Sequence, residues 1–150
     1  MEQNDSFEVF LKKKKQQENN KVDWDERKST WLKSIEDLYS KINNWLSPFI
    51  KESLLDIKEK DIELNEEYIG NYKAKRLDIY LSNDIISLTP RGTLIIGSYG
   101  RIDMRGPKGE YLLIEPDWNI WKFAKRTPKL VTWEISEESF KTAIQDVING

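Results

Sequence analysis

Arg101, Asp103 and Arg105 alternate with Ile102 and Met104 inside a stretch, residues 92–115, that glycines punctuate. At the two-residue period of a strand the charged trio shares one face and the apolar pair the other, and a carboxylate between two guanidinium groups pairs naturally there. A second concentration of chemistry is residues 118–126, where Trp118, Trp121 and Phe123 interleave with Lys122, Lys125 and Arg126. Rings beside cations suit a single-stranded nucleic acid, whose bases stack while its backbone meets Lys and Arg. Packing offers the other account: Trp118 and Trp121 stand three apart, so a regular strand sends them to opposite faces and at least one into the core. The chain holds no His and no Cys. That excludes Ser-His-Asp triads, zinc sites built on His or thiolate, cysteine nucleophiles and disulfides. Any catalysis would rest on carboxylates, Lys, Tyr, Ser or a hard cation held by oxygen.

One such arrangement has a family resemblance. Gly100-Arg101-Ile102-Asp103, followed after eleven residues by Glu115 at the end of Tyr111-Leu112-Leu113-Ile114, resembles the strand–turn–strand core of nucleases of the PD-(D/E)xK type. The resemblance implies that Asp103 and Glu115 hold a divalent cation that activates water at a phosphodiester. It covers residues 100–117 and departs from the family where a lysine belongs: position 117 is Asp, Pro116 precedes it, and the upstream helical Glu has no clear counterpart. Asp103 and Glu115 thus stand as alternative catalytic residues, in a nuclease-like protein that lacks the lysine assisting the attacking water.

Length and composition suit one α+β domain. The 150 residues are 38% hydrophobic and 33% charged, and six Trp, six Tyr and five Phe supply a core of few, bulky side chains. The net charge of −2 is uneven: residues 86–133 carry 8 Lys/Arg against 4 Asp/Glu, whereas residues 1–85 carry 15 against 18 and residues 134–150 carry 1 against 4. A basic middle between acidic ends marks an anionic partner or a fold whose ends neutralise its sheet. Without a long apolar run or a signal-like start, the reading is of a cytoplasmic protein that does not engage a membrane.

Residues 1–21 read as a flexible polar arm with a four-lysine run from Lys12 to Lys15, and residues 22–150 as the single domain. Trp24, Trp31, Ile35, Leu38, Ile42, Trp45 and Leu46 recur at helical spacing behind Asp23, an N-cap with Glu26 three residues on. Ser47-Pro48 is expected to end that helix after about 23 residues, roughly 34 Å, and to start a short second one through Phe49, Ile50 and Leu54. The period then changes to two, with strands expected at 57–64, 77–81, 85–88, 94–96, 101–105, 111–115 and 130–135. Residues 83–84, 90–92, 97–100 and 106–109 are turns, too short for crossover helices, so neighbouring strands are antiparallel. Gly97-Ser98-Tyr99-Gly100 lacks the Gly-Lys-Ser/Thr ending of a phosphate loop. Ser136 caps a closing helix that buries Phe140, Ala143, Ile144, Val147 and Ile148.

The sequence therefore describes a long N-terminal helix, a mainly antiparallel meander of five to seven strands and a C-terminal helix, with the helices packed on one sheet face. The expected function is that of a small intracellular accessory protein that binds another macromolecule, without catalysis, metal or cofactor. Its partner is a protein or a second copy, the long Trp-bearing helix offering surface for self-association, with nucleic acid as the alternative. The binding residues expected are Arg101, Arg105, Lys108, Trp118, Trp121, Lys122, Lys125 and Arg126.

Overall fold

The computed structural model describes residues 2–19, 23–93, 99–125 and 128–150. Three sequence-based expectations, the strand at 94–96, the first half of the turn at 97–100 and the role of Arg126, lie outside the described residues. Residues read as a polar arm form helix α1 (Glu2–Asn19), followed by α2 (Trp24–Lys51). The strands are β1 (Asp56–Glu66), β2 (Gly70–Leu81), β3 (Asp84–Gly92), β4 (Arg101–Gly106), β5 (Gly109–Asp117), β6 (Ile120–Lys125) and β7 (Val131–Glu134), and α3 (Glu137–Asn149) closes the chain. All seven strands pair in sequence order, each antiparallel to the next. The expected α+β meander is the fold observed.

Helix α2 starts where Asp23 accepts hydrogen bonds from the Asp25 and Glu26 amides, both at 3.1 Å. These satisfy donors that the first helical turn would otherwise leave unpaired. Its buried stripe of Trp31, Ile35, Leu38, Tyr39, Ile42 and Leu46 lies on the sheet. Pro48 does not end it: the helix runs 28 residues with the proline inside. Proline removes one intrahelical bond near the C-terminus, and the packing of Trp45, Phe49 and Ile50 on the core offsets that loss. Termination comes at Ser53, whose φ of 60° turns the chain so that the Ser53 and Leu54 amides reach the Ile50 and Phe49 carbonyls. Leu54, expected inside a second helix, is 60% exposed.

Proline 90 is likewise absorbed rather than obeyed. Strand β3 runs through it to Gly92, whereas the sequence suggested a turn at 90–92. Pairing with β2 stops at Leu88, so the proline follows the part of β3 that needs donors toward β2, and a bulge between Pro90 and Gly92 takes up the irregularity toward β4. The β2–β3 turn is Ser82-Asn83, one residue earlier than expected, with Leu81 opposite Asp84 and Ser82 at a φ of 51°.

Leu77, Ile79, Ile86, Leu88, Ile102, Met104, Leu113, Trp121 and Phe123 form the sheet side of one core that α2 and α3 cover. The β1–β2 ribbon changes face along its length. Ile79 and Leu77 point inward at one end, Ala74 and Tyr72 at the other, although the register from Asp56–Tyr80 to Glu66–Gly70 is unbroken. Beyond Leu77 the ribbon has no third strand, and such two-stranded ribbons twist most strongly. Its free end thereby brings Tyr72 to Trp31, whose indole N–H donates to the Tyr72 hydroxyl at 3.1 Å.

Candidate functional site

The face of the sheet turned away from α2 and α3 carries two aspartates that are nearly inaccessible, Asp78 at 1% and Asp103 at 4% exposure. Each sits at the end of an Arg–hydrophobe–Asp step, Arg76-Leu77-Asp78 on β2 and Arg101-Ile102-Asp103 on β4. Because alternate residues share a face, each arginine reaches its own aspartate with two nitrogens. Arg76 donates to Asp78 at 2.9 and 3.0 Å, and Arg101 to Asp103 at 2.7 and 3.3 Å. Further donors close each site: Lys60 at 3.3 Å and the Ser87 hydroxyl at 3.0 Å on Asp78, and Arg91 at 2.9 Å on Asp103. Lys58 and Lys60 also lie over the Tyr80 ring.

Burial by itself would raise both aspartate pKa values. The hydrogen bonds and charges of the surrounding donors outweigh it, so Asp78 and Asp103 both titrate below their ordinary value of 3.8. They are committed anions. Around them Lys58, Lys60, Arg76, Arg91, Arg101 and Arg105 form a cationic band, with Glu110, which pairs with Arg105 at 2.9 Å, at its margin.

Glu115 belongs to the other side of the sheet. In the β4–β5 register Asp103 stands opposite Leu112, and Leu113 opposite Ile102 in the core, so Glu115 follows Leu113 inward. Its carboxylate accepts from the Ser34 hydroxyl of α2 and from the Asn119 amide at 2.7 Å, and Trp121 donates to the same Ser34 hydroxyl at 3.2 Å. Asp103 and Glu115 therefore address opposite faces, and the shared cation implied by the nuclease resemblance has no geometry here. Among the described residues no group of three or more metal-ligating acids gathers elsewhere.

A second buried acid, Glu66, is linked to α2 through Tyr72, whose hydroxyl accepts from Trp31. Glu66 accepts from the Tyr72 hydroxyl and, at 2.7 Å, from the Thr93 amide, and it packs where a Cβ on Gly92 would collide with it. Arg27 donates to the Thr93 carbonyl at 3.0 Å and lies over the Tyr99 ring, while Tyr99 and Gly100 exchange backbone bonds with Glu115. These groups tie the ends of the β3–β4 connection to α2. Desolvation raises the Glu115 pKa above 4.5, against the hydrogen bonds from Ser34 and Asn119.

The signs of these shifts give opposite pH dependences. A raised carboxyl favours the folded state when protonated, so its contribution is full below pH 4.5 and is lost as pH rises through the folded value. The lowered aspartates contribute above 3.8 and lose it as pH falls further. Glu115→Gln, which keeps an oxygen for Ser34 and Asn119, is expected to flatten the stability gain seen on acidification from pH 7 toward 4.5 while leaving the loss below 3.8. Urea midpoints across pH for both chains check this, and a wild-type slope in the variant would contradict it.

The expected binding residues are only partly brought together. Arg101, Arg105 and Lys122 share the open face. Lys108 lies in the β4–β5 turn, its amide donating to the Val147 carbonyl near the end of α3 at 2.8 Å. Lys125 lies over the Tyr111 ring, and Trp118, 39% exposed, packs on Tyr99. Trp121 is in the core against Trp31, with ring centroids 5.9 Å apart, and offers no platform to a base. Sequence reasoning missed Arg76, Asp78, Lys60 and Arg91, although the repeated Arg–hydrophobe–Asp step was a usable signal for the first two.

Fold and open face define a class: a seven-stranded antiparallel meander with two helices on one side and a cationic, aspartate-anchored surface on the other. Comparison with known proteins finds no family model, no curated protein and no solved structure that matches the chain.

Proposed function

We propose that this chain is a non-catalytic accessory protein whose open sheet face docks on an acidic surface of another protein. The observation that carries the reading is the cationic band around Asp78 and Asp103. Both carboxylates are already saturated by neighbouring donors, so the outward nitrogens of Arg91, 46% exposed, and Arg105, 62% exposed, remain for a partner. Arg91, held in place by the buried Asp103 carboxylate, loses little freedom on pairing with a second carboxylate, which favours directed contacts, whereas Arg105 is held at the margin by exposed Glu110. Of the rings that a nucleic acid would stack on, Trp121 is in the core and Tyr80, on this face, already carries Lys58 and Lys60 over its ring, which favours a protein partner. No helix among the described residues is long and apolar enough to cross a membrane. A cytoplasmic encounter suits a chain without cysteine.

Lys58→Glu combined with Arg105→Glu reverses two exposed charges without touching either aspartate's donors. Affinity capture from cells of the source, at low and high salt, is expected to retain an acidic protein on the wild-type chain and to lose it, by more than about tenfold, on the variant. Equal capture by both chains, or nucleic acid as the retained species, would overturn the reading.

A further inference from the structure

An exposed apolar helix face and a cavity are present in this structure at once, and their positions along the chain match. On α1, Phe7, Phe10 and Leu11 share one face at helical spacing and are 61%, 61% and 48% exposed, with Phe7 and Phe10 stacked on each other. Helices in proteins draw most of their stability from tertiary packing of an apolar face. The cavity, of about 390 Å³, lies between α2 and the β1–β2 ribbon. It is lined by half-buried Leu32, by the buried Ile35, Tyr39 and Ala74, and by charged side chains of both signs, among them Glu36 and Lys73.

We infer that the occupant of this cavity is the Phe7–Phe10–Leu11 face of α1 from the same chain, folded back along α2 as a helical hairpin. The connection carries the argument. Only residues 20–23 separate the two helices, within the two to five residues that join antiparallel helices. Both helices rise about 1.5 Å per residue. In such a hairpin, residues whose numbers add to about 43, as those of Asn19 and Trp24 do, lie level. Leu11 is then level with Leu32, Phe10 with Lys33 and Phe7 with Glu36, which sets the three apolar residues of α1 along the stretch of α2 that lines the cavity. Helical phase agrees as well: Lys14 continues the apolar face of α1, and Ser29 continues the Leu32–Glu36–Tyr39 line of α2. A tether this short gives the intramolecular contact a high effective concentration, which favours it over the same contact between two copies.

The absence of native cysteine makes a clean test. Lys14→Cys with Ser29→Cys places thiols at level, facing positions, whereas Lys13→Cys with Ser29→Cys turns one thiol away. Under mild oxidation the first pair is expected to close a disulfide within one chain, seen as a faster-migrating monomer, and the second to close it at least about tenfold more slowly. Adding Phe7→Asp and Phe10→Asp to the first pair removes the apolar contacts and is expected to slow closure by a similar factor. Equal rates for the two pairs, no effect of the aspartates, or a disulfide formed only between two chains would overturn the inference. The last outcome would assign the cavity to the α1 of a second copy.

Discussion

Trp31→Ala is expected to lower the free energy of unfolding by about 3–5 kcal/mol, the usual cost of emptying a buried indole site. Trp31 is fully buried, and it joins three parts of the fold. Its ring packs on Trp121 of β6, its N–H donates to Tyr72 at the far end of the β1–β2 ribbon, and Gly100 at the entry to β4 is backed against it. Truncation opens a cavity and also removes one of the hydrogen bonds of the Tyr72 hydroxyl. The surroundings cannot collapse easily, because Glu66, bonded to Tyr72, and Glu115, bonded to the backbone of Gly100, are held by further hydrogen bonds. Domains of this size are stable by about 5–15 kcal/mol, so the variant should be markedly less stable, with a midpoint lower by on the order of 10 °C. Urea and thermal unfolding followed by far-ultraviolet circular dichroism check it. A loss below about 1 kcal/mol would mean that Trp31 is not the joint described.

Gly100→Ala should be nearly as damaging for the opposite reason. A Cβ at Gly100 would be driven into the six-membered ring of Trp31, and the other close atoms are of the same ring. Gly100 is not among the residues at positive φ, so the penalty is steric and not conformational. Overpacking of this kind costs about 1–3 kcal/mol, more where neither side can yield. A double-mutant cycle isolates the cause. In a Trp31→Leu background the ring is gone, and the cost of Gly100→Ala should largely disappear, giving a coupling of at least about 1 kcal/mol. Urea unfolding of the four chains measures it, and an unchanged cost in the Leu background would place the strain elsewhere.

Much of the molecule is written in the chain at short range. The period of three to four from Trp31 to Leu46 states α2, and Asp23 and Ser136 state where α2 and α3 begin, because caps and helical stripes are local. Short glycine- and proline-marked gaps between period-two runs state a meander, since no crossover fits into them. The inward pair Ile102–Met104 and the outward trio Arg101–Asp103–Arg105 follow from the pleat alone.

Other features depended on neighbours far along the chain. Pro48 and Pro90 are local stop signals, yet the core contacts of Phe49 and Ile50 and the departure of β2 beyond Leu88 let the helix and the strand run on through them. Pro107 and Lys108 form the two-residue turn that sets Asp103 against Leu112, and that register alone sends Asp103 and Glu115 to opposite faces. The meeting of Arg91 with Arg101 on one aspartate, and of Lys60 with Arg76 on another, required strands to pair that are 12 to 18 residues apart. A sequence specifies helices, strands and turns through interactions among near neighbours. Which acids are saturated and which cations face outward were decided only when the strands took their register and the β1–β2 ribbon twisted over Trp31.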